Sequence, residues 1–170
     1  MKKNILIILS FPITLILYII LFSGNIKYSE EIIINANIDT VKVLIENPYN
    51  MKKYMEGIES YKILSGKINN VGTKAEITFL MGEKKILMIE EIIINNLPIE
   101  KIVTYKANGI NNIVTNKLVK ISEYQTKLIN EQEFEFDGGY MKIFGFFMSS
   151  AFKEQSRVYL KNFKQFVEIR

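Results

Sequence analysis

The stretch Tyr124-Gln-Thr-Lys-Leu-Ile-Asn-Glu-Gln-Glu-Phe-Glu-Phe136 decides the fold, because it alternates strictly and then stops at two glycines. Glu131, Glu133, Glu135 and Asp137 fall on one side of an extended chain, and Leu128, Asn130, Gln132, Phe134 and Phe136 on the other. Successive side chains of a strand point to opposite faces, so the pattern predicts one wet face and one face turned inward. Gly138-Gly139 end the strand. Beyond them apolar residues recur at helical spacing as far as residue 167, which predicts a long C-terminal helix.

Upstream, the same reading gives strands over residues 31–36, 58–64, 72–80, 84–95, 101–108 and 112–121. In the third of these Ala75, Ile77 and Phe79 alternate with Lys74, Glu76 and Thr78. The turns between later strands are short: Met81-Gly82-Glu83, Asn96-Leu97-Pro98 and Asn108-Gly109. Strands joined so tightly are antiparallel. Two short helices, over 40–47 and 50–55, follow the first strand. Asp39 is expected to cap the first, with Val41, Leu44 and Ile45 sharing its apolar face. Asn47-Pro48 breaks it and Gly57 ends the second. An antiparallel sheet has a face to cover, and the long helix is the one large element able to cover it. The expected class is α+β.

Working outward to the N-terminus, Lys2 and Lys3 precede an uncharged run in which residues 5–22 are interrupted only by Ser10, Pro12 and Thr14. A bilayer core needs roughly 20 apolar residues as helix, and the run is just long enough. A signal peptide has an apolar stretch of about 7–15 residues followed by a small-residue cleavage site. Here bulky Leu21 and Phe22 stand before Ser23 and Gly24, so length and flanks favour a retained anchor over a cleaved signal and a secreted product. The expected division is an anchor and tether over 1–27 and one domain over 28–170. By the positive-inside rule Lys2 and Lys3 put the N-terminus in the cytoplasm and the domain on the outer face of a single-pass membrane protein.

Composition narrows the chemistry. The net charge of +4 is mild and spread out, unlike the concentrated basic footprint of a nucleic-acid binder. The chain has no Cys and no His, which removes thiol catalysis, disulfides, the commonest general base and the commonest metal ligands. No phosphate loop, dinucleotide fingerprint or metal motif is present. No cofactor, no metal and no catalytic residue is expected. Glu90 and Glu91 lie in an apolar strand, so one of them faces inward; the simpler reading puts that one near an edge. Lys153, Arg157, Lys161 and Lys164 form a basic stripe on the last helix, read as a solvated face with Glu154 and Glu168 as partners.

The order of elements resembles the helix-grip fold of the START-like, or SRPBCC, superfamily, which includes polyketide cyclases and lipid-transfer proteins. Ile34-Asn35-Ala36-Asn37-Ile38-Asp39-Thr40-Val41 looks like that family's first strand running into its first short helix. Asn47-Pro48, Tyr54 and Gly57 look like the segment before its second strand, and Val71-Gly72-Thr73 like the start of its third. Asn37 stands where family members often have Pro, and Tyr54 where they often have Trp. The resemblance covers residues 28–170 and implies a curved sheet of about seven strands wrapped around the long helix, with a cavity between them.

That resemblance implies a ligand that is hydrophobic or amphipathic, such as a lipid. The candidate cavity residues are Ile77, Phe79, Met88, Tyr105, Asn130, Gln132 and Phe134 from the sheet, and Phe144, Phe147, Met148 and Phe152 from the helix. The helix stripe of Phe144, Met148, Phe152, Tyr159, Phe163 and Phe166 equally suits a helix that only packs on a core. Asn130 and Gln132 equally suit a wet strand end. A cyclase- or dehydratase-like enzyme and an anchored interaction module with a filled cavity are the alternative functions.

Overall fold

The structure, a computed structural model, describes Thr14 and residues 25–169. The elements run in the expected order: β1 (Ile26–Ile34), α1 (Ile38–Glu46), a 3-10 turn (Pro48–Asn50), α2 (Met51–Tyr54), β2 (Ile58–Ser65), β3 (Lys74–Met81), β4 (Lys84–Asn96), β5 (Glu100–Ala107), β6 (Ile110–Ser122), β7 (Gln125–Phe136) and α3 (Gly138–Glu168). The seven strands form one antiparallel sheet in the order β1-β7-β6-β5-β4-β3-β2. The two short helices carry the chain from one sheet edge to the other, and α3 crosses the inner face.

Local chemistry explains the boundaries. Asn37, not Asp39, caps α1: its Oδ1 accepts from the Thr40 backbone N–H at 2.8 Å. Asn47 does the same for the 3-10 turn, accepting from Tyr49 N–H at 3.1 Å. Asn108 (φ 49°) and Gly109 (φ 77°) both occupy the left-handed region, the geometry that joins β5 to β6 through a two-residue hairpin. β1 starts at Ile26, earlier than the sequence pattern suggested, because Ile26 to Ser29 pair along β7 from Phe134 to Glu131.

The anchor expected over residues 5–22 lies, apart from Thr14, outside the described residues. Among the described residues no helix is long and apolar enough to cross a membrane.

The strand register defines two ends of the sheet. Ile26, Phe136, Ile110, Ala107, Phe79 and Ile58 meet at one end. Ile34, Thr126, Leu118, Leu128 and Lys101 gather toward the other. The packed core belongs to the second end. There Ile34, Leu97, Leu118 and Leu128 meet Val41 and Leu44 of α1 and Leu160, Phe163 and Val167 of α3. Tyr54 adds an edge-to-face contact to Phe163, with ring centroids 4.9 Å apart.

β1 and α3 are also tied by polar contacts. The Tyr28 hydroxyl donates to the Phe152 carbonyl at 2.9 Å and lies 2.9 Å from Ser156 Oγ. Glu30 pairs with Arg157 at 3.0 Å and with Lys153 at 3.4 Å. Lys164 holds Glu168 and the Ile33 carbonyl. Three of the four residues of the basic stripe, Lys153, Arg157 and Lys164, therefore clamp the helix to the sheet edge.

Candidate functional site

Between the sheet and the second half of α3 lies a cavity of about 400 Å³. Ligand pockets commonly occupy about 300–1,000 Å³, so this one has the size to hold a small molecule. Its apolar wall comes from inward positions of the strands: Ile58 (β2), Ile77 and Phe79 (β3), Ile86 and Met88 (β4), and Phe134 (β7). α3 contributes Phe152, Gln155, Ser156, Tyr159, Leu160 and Phe163. Phe134 and Phe152 stack at 4.6 Å and close the side nearest β1.

Polar groups cross the cavity in register. Glu90 lies opposite Ala75 on β3 and Tyr105 on β5, and Tyr105 lies opposite Asn112 on β6. All of them except Ala75 line the cavity. Tyr61 donates its hydroxyl to Glu90 Oε1 at 2.8 Å, and Tyr105 shares a second hydrogen bond with the same carboxyl. Burial raises the Glu90 carboxyl above its ordinary value, against the lowering effect of the two tyrosines and of Lys101. Burial and the nearby carboxylate both push the hydroxyls of Tyr61 and Tyr105 up, so they stay protonated as donors.

A second polar row lies deeper, toward the packed end. Lys101, opposite Asn116, is buried and donates to Asn69 Oδ1 at 3.2 Å. Burial lowers its ammonium from the ordinary value, while Glu90 and Glu46 pull the other way. Four amides join the two rows. Asn112 donates to Gln132 at 2.9 Å, Gln132 to Asn130 at 2.7 Å, and Asn130 to Asn116 at 2.8 Å. Each amide fixes the next, so the inner face of β6 and β7 presents a rigid polar floor rather than a wet strand end.

The residues singled out in the sequence divide cleanly. Ile77, Phe79, Met88, Tyr105, Asn130, Gln132, Phe134 and Phe152 line the cavity. Phe144, Phe147 and Met148 do not: they belong to residues 138–151 of α3, none of which lines the cavity, and all three are exposed. Gly145 is the physical reason. It is buried with its α-carbon against the Phe136 ring, where a Cβ would sit 2.5 Å from the ring atoms. The helix therefore turns Gly145, not Phe144 or Met148, toward the sheet, and the inward stripe runs through Gly145, Phe152, Ser156, Leu160, Phe163 and Val167.

Two residues of the site were misread or passed over in the sequence. Glu90 is not near an edge; it sits midway along β4, one of the inner strands of the sheet. Lys101 gave no reason to be picked, although its inward position follows from sharing strand parity with Val103 and Tyr105.

The sequence matches no protein-family model and no curated protein. Solved structures share its fold. Zhui aromatase/cyclase from Streptomyces sp. R1128 superposes with a TM-score of 0.73 at 10% identity, covering 86% of this chain and 97% of that one. A START superfamily protein from Mycobacterium smegmatis gives 0.67 at 12% identity, over 85% and 98% of the two chains. Norcoclaurine synthase from Thalictrum flavum, solved with dopamine and hydroxybenzaldehyde, gives 0.64 at 16% identity, over 87% and 89%. The chain thus shares the helix-grip fold of these structures.

Proposed function

We propose that this chain binds an amphipathic, lipid-like small molecule between its sheet and its C-terminal helix. The carrying observation is the polarity of the cavity of about 400 Å³. Its wall is apolar toward the β3–β4 hairpin, where Ile58, Ile77, Phe79, Ile86 and Met88 line it, and polar from the row of Glu90, Tyr105 and Asn112 to Lys101 toward the packed end. Such a cavity suits a ligand with an apolar body and one hydrogen-bonding head, since buried polar groups need partners and apolar ones need cover. Ligand-bound and enzymatic neighbours with this fold support the reading by analogy of fold alone. Residues 5–22 serve in this proposal as a retained membrane anchor, with the domain on the outer face.

The test is native mass spectrometry of the full chain purified in detergent, followed by solvent extraction and mass analysis of what co-purifies. A retained apolar molecule in stoichiometric amount is expected. A mass equal to the bare polypeptide in every preparation, with no binding of added single-chain lipids, sinks the proposal.

One observation favours a second reading, a cyclase- or dehydratase-like enzyme. Glu90 is a buried carboxyl with a raised proton affinity, held by two tyrosines inside the cavity, which are the requirements of a general acid or base. Conversion of a bound ligand that stops in Glu90→Gln while binding persists would establish it.

A further inference from the structure

The first half of α3 carries side chains that the cavity does not use. Tyr140 is 80% exposed, Phe147 67% and Phe146 51%, and Phe144 and Met148 are exposed beside them. Phe146 and Phe147 meet edge to face at 5.3 Å, and Phe144 meets Phe152 of the cavity wall at 6.2 Å. Met81, at the tip of the β3–β4 hairpin, is 59% exposed, and Leu80 beside it is exposed too. Large apolar side chains exposed together at one end of a folded domain mark a candidate contact site.

Three facts place this surface. α3 starts immediately after Phe136, which pairs with Ile110 at the end of the sheet where Ile26 pairs with Phe134. The β3–β4 hairpin turns at that same end, where Phe79 lies opposite Ile58. And Asn25, the residue just before β1, is where the chain arrives from the apolar run 5–22. Phe22 and Asn25 are three residues apart, which at most about 3.5 Å per residue keeps them within roughly 10 Å. The exposed aromatics, the apolar end of the cavity and the entry of a span-length apolar sequence therefore share one end of the molecule. The packed core occupies the other.

We propose that Tyr140, Phe144, Phe146, Phe147 and Met148 rest in the interfacial layer of a lipid bilayer, so that the apolar end of the cavity faces the membrane from which its ligand is drawn. This rests on the ligand-binding reading for its purpose, though not for its geometry. The side-chain set fits the occupant: aromatic rings with a polar edge concentrate at the headgroup level, and Lys142 among them can extend its ammonium to the headgroups. Gly145 fixes the presentation, because its contact with Phe136 turns the neighbouring phenylalanines outward.

The chain has no cysteine, so a single introduced thiol is a unique reporter. The full chain carrying Phe147→Cys, labelled with an environment-sensitive fluorophore, is reconstituted into phosphatidylcholine vesicles in which some acyl chains bear a nitroxide. Val43→Cys, on an exposed position of α1 at the packed end, is the reference. The expected result is quenching several-fold stronger at 147 than at 43. Equal quenching overturns the proposal. So does a label at 147 shielded from both the lipid nitroxide and aqueous iodide, which would mean that a second copy or the chain's own segment 5–22 covers the patch. A second arm uses Phe146→Ser with Phe147→Ser, exposed positions whose replacement leaves the packed core untouched. With thermal melting unchanged, this variant is expected to lose most of the rate at which lipid passes from vesicles into the protein; an unaltered rate counts against the proposal. Strong quenching in a protein that never retains a ligand would instead reject the ligand-binding reading alone.

Discussion

Burial lifts the Glu90 carboxyl above 4.5, and this has a sign in folding. Between the ordinary value and the raised native one, the folded chain holds a proton that the unfolded chain has released. Stability then falls as pH rises through that window and is fully recovered below 4.5. Glu90→Gln keeps an acceptor for Tyr61 and removes the titration. The variant is therefore expected to melt a few degrees above the parent near neutral pH and to lose that advantage below the ordinary carboxylate range, in thermal melts followed by circular dichroism across pH. If attraction to Lys101 outweighed burial, the sign would reverse and the variant would melt lower at neutral pH. Sequence parity alone could place one of Glu90 and Glu91 inside, but not choose its depth, because β4 is apolar on both faces over Ile92, Ile93 and Ile94. Lys101 was harder still: a lysine in a strand is ordinarily solvated, and only the tertiary placement of β5 between β4 and β6 buries it.

Two element-scale substitutions discriminate what the sequence pattern left ambiguous. Asn37 and Asp39 are both plausible caps by residue type, but only Asn37 bonds the free N–H of Thr40. Asn37→Ala should cost about 1 kcal/mol in urea denaturation, as loss of an N-cap does, while Asp39→Ala should change little. For α3 the decisive residue is Gly145. Gly to Ala in a helix interior normally gains about 0.8–1 kcal/mol. Here the added methyl meets the Phe136 ring at 2.5 Å, and overpacking of this kind costs typically about 1–3 kcal/mol. The expected net effect of Gly145→Ala is a loss of about 1 kcal/mol, measured against Ser150→Ala on the exposed face, which should be neutral or slightly stabilising. The strands were legible because period two survives any packing. The phase of α3 was not. Phe144, Gly145, Phe146, Phe147 and Met148 offer apolar residues in every direction, and a residue with no side chain, unseen by a hydrophobic stripe, sets the rotation.

At the scale of the whole molecule, the domain combines a packed end with a hollow one, and the two respond differently to substitution. Filling the hollow end at Ala107 should not unfold the protein, because Ala107 pairs with Ile110 at the end of the sheet away from the core of Ile34, Leu128, Leu160 and Phe163. Ala107 lines the cavity from the last position of β5. Ala107→Trp places an indole in the space of the ligand's apolar body. A ligand present at 100 times its dissociation constant stabilises the folded state by about 2.7 kcal/mol, since only that state binds it. For a domain of this size that is a shift of about 5–10 °C in Tm. The parent chain is therefore expected to lose several degrees when its ligand is stripped by solvent or detergent exchange, and to regain them when the extract is returned. Ala107→Trp should co-purify with no ligand, melt at or above the stripped parent, and ignore the extract. A stripped parent that melts where the loaded one does would mean that the cavity binds nothing of consequence, whatever its size. A filled variant that still responds to the extract would move the binding site out of the space between sheet and helix.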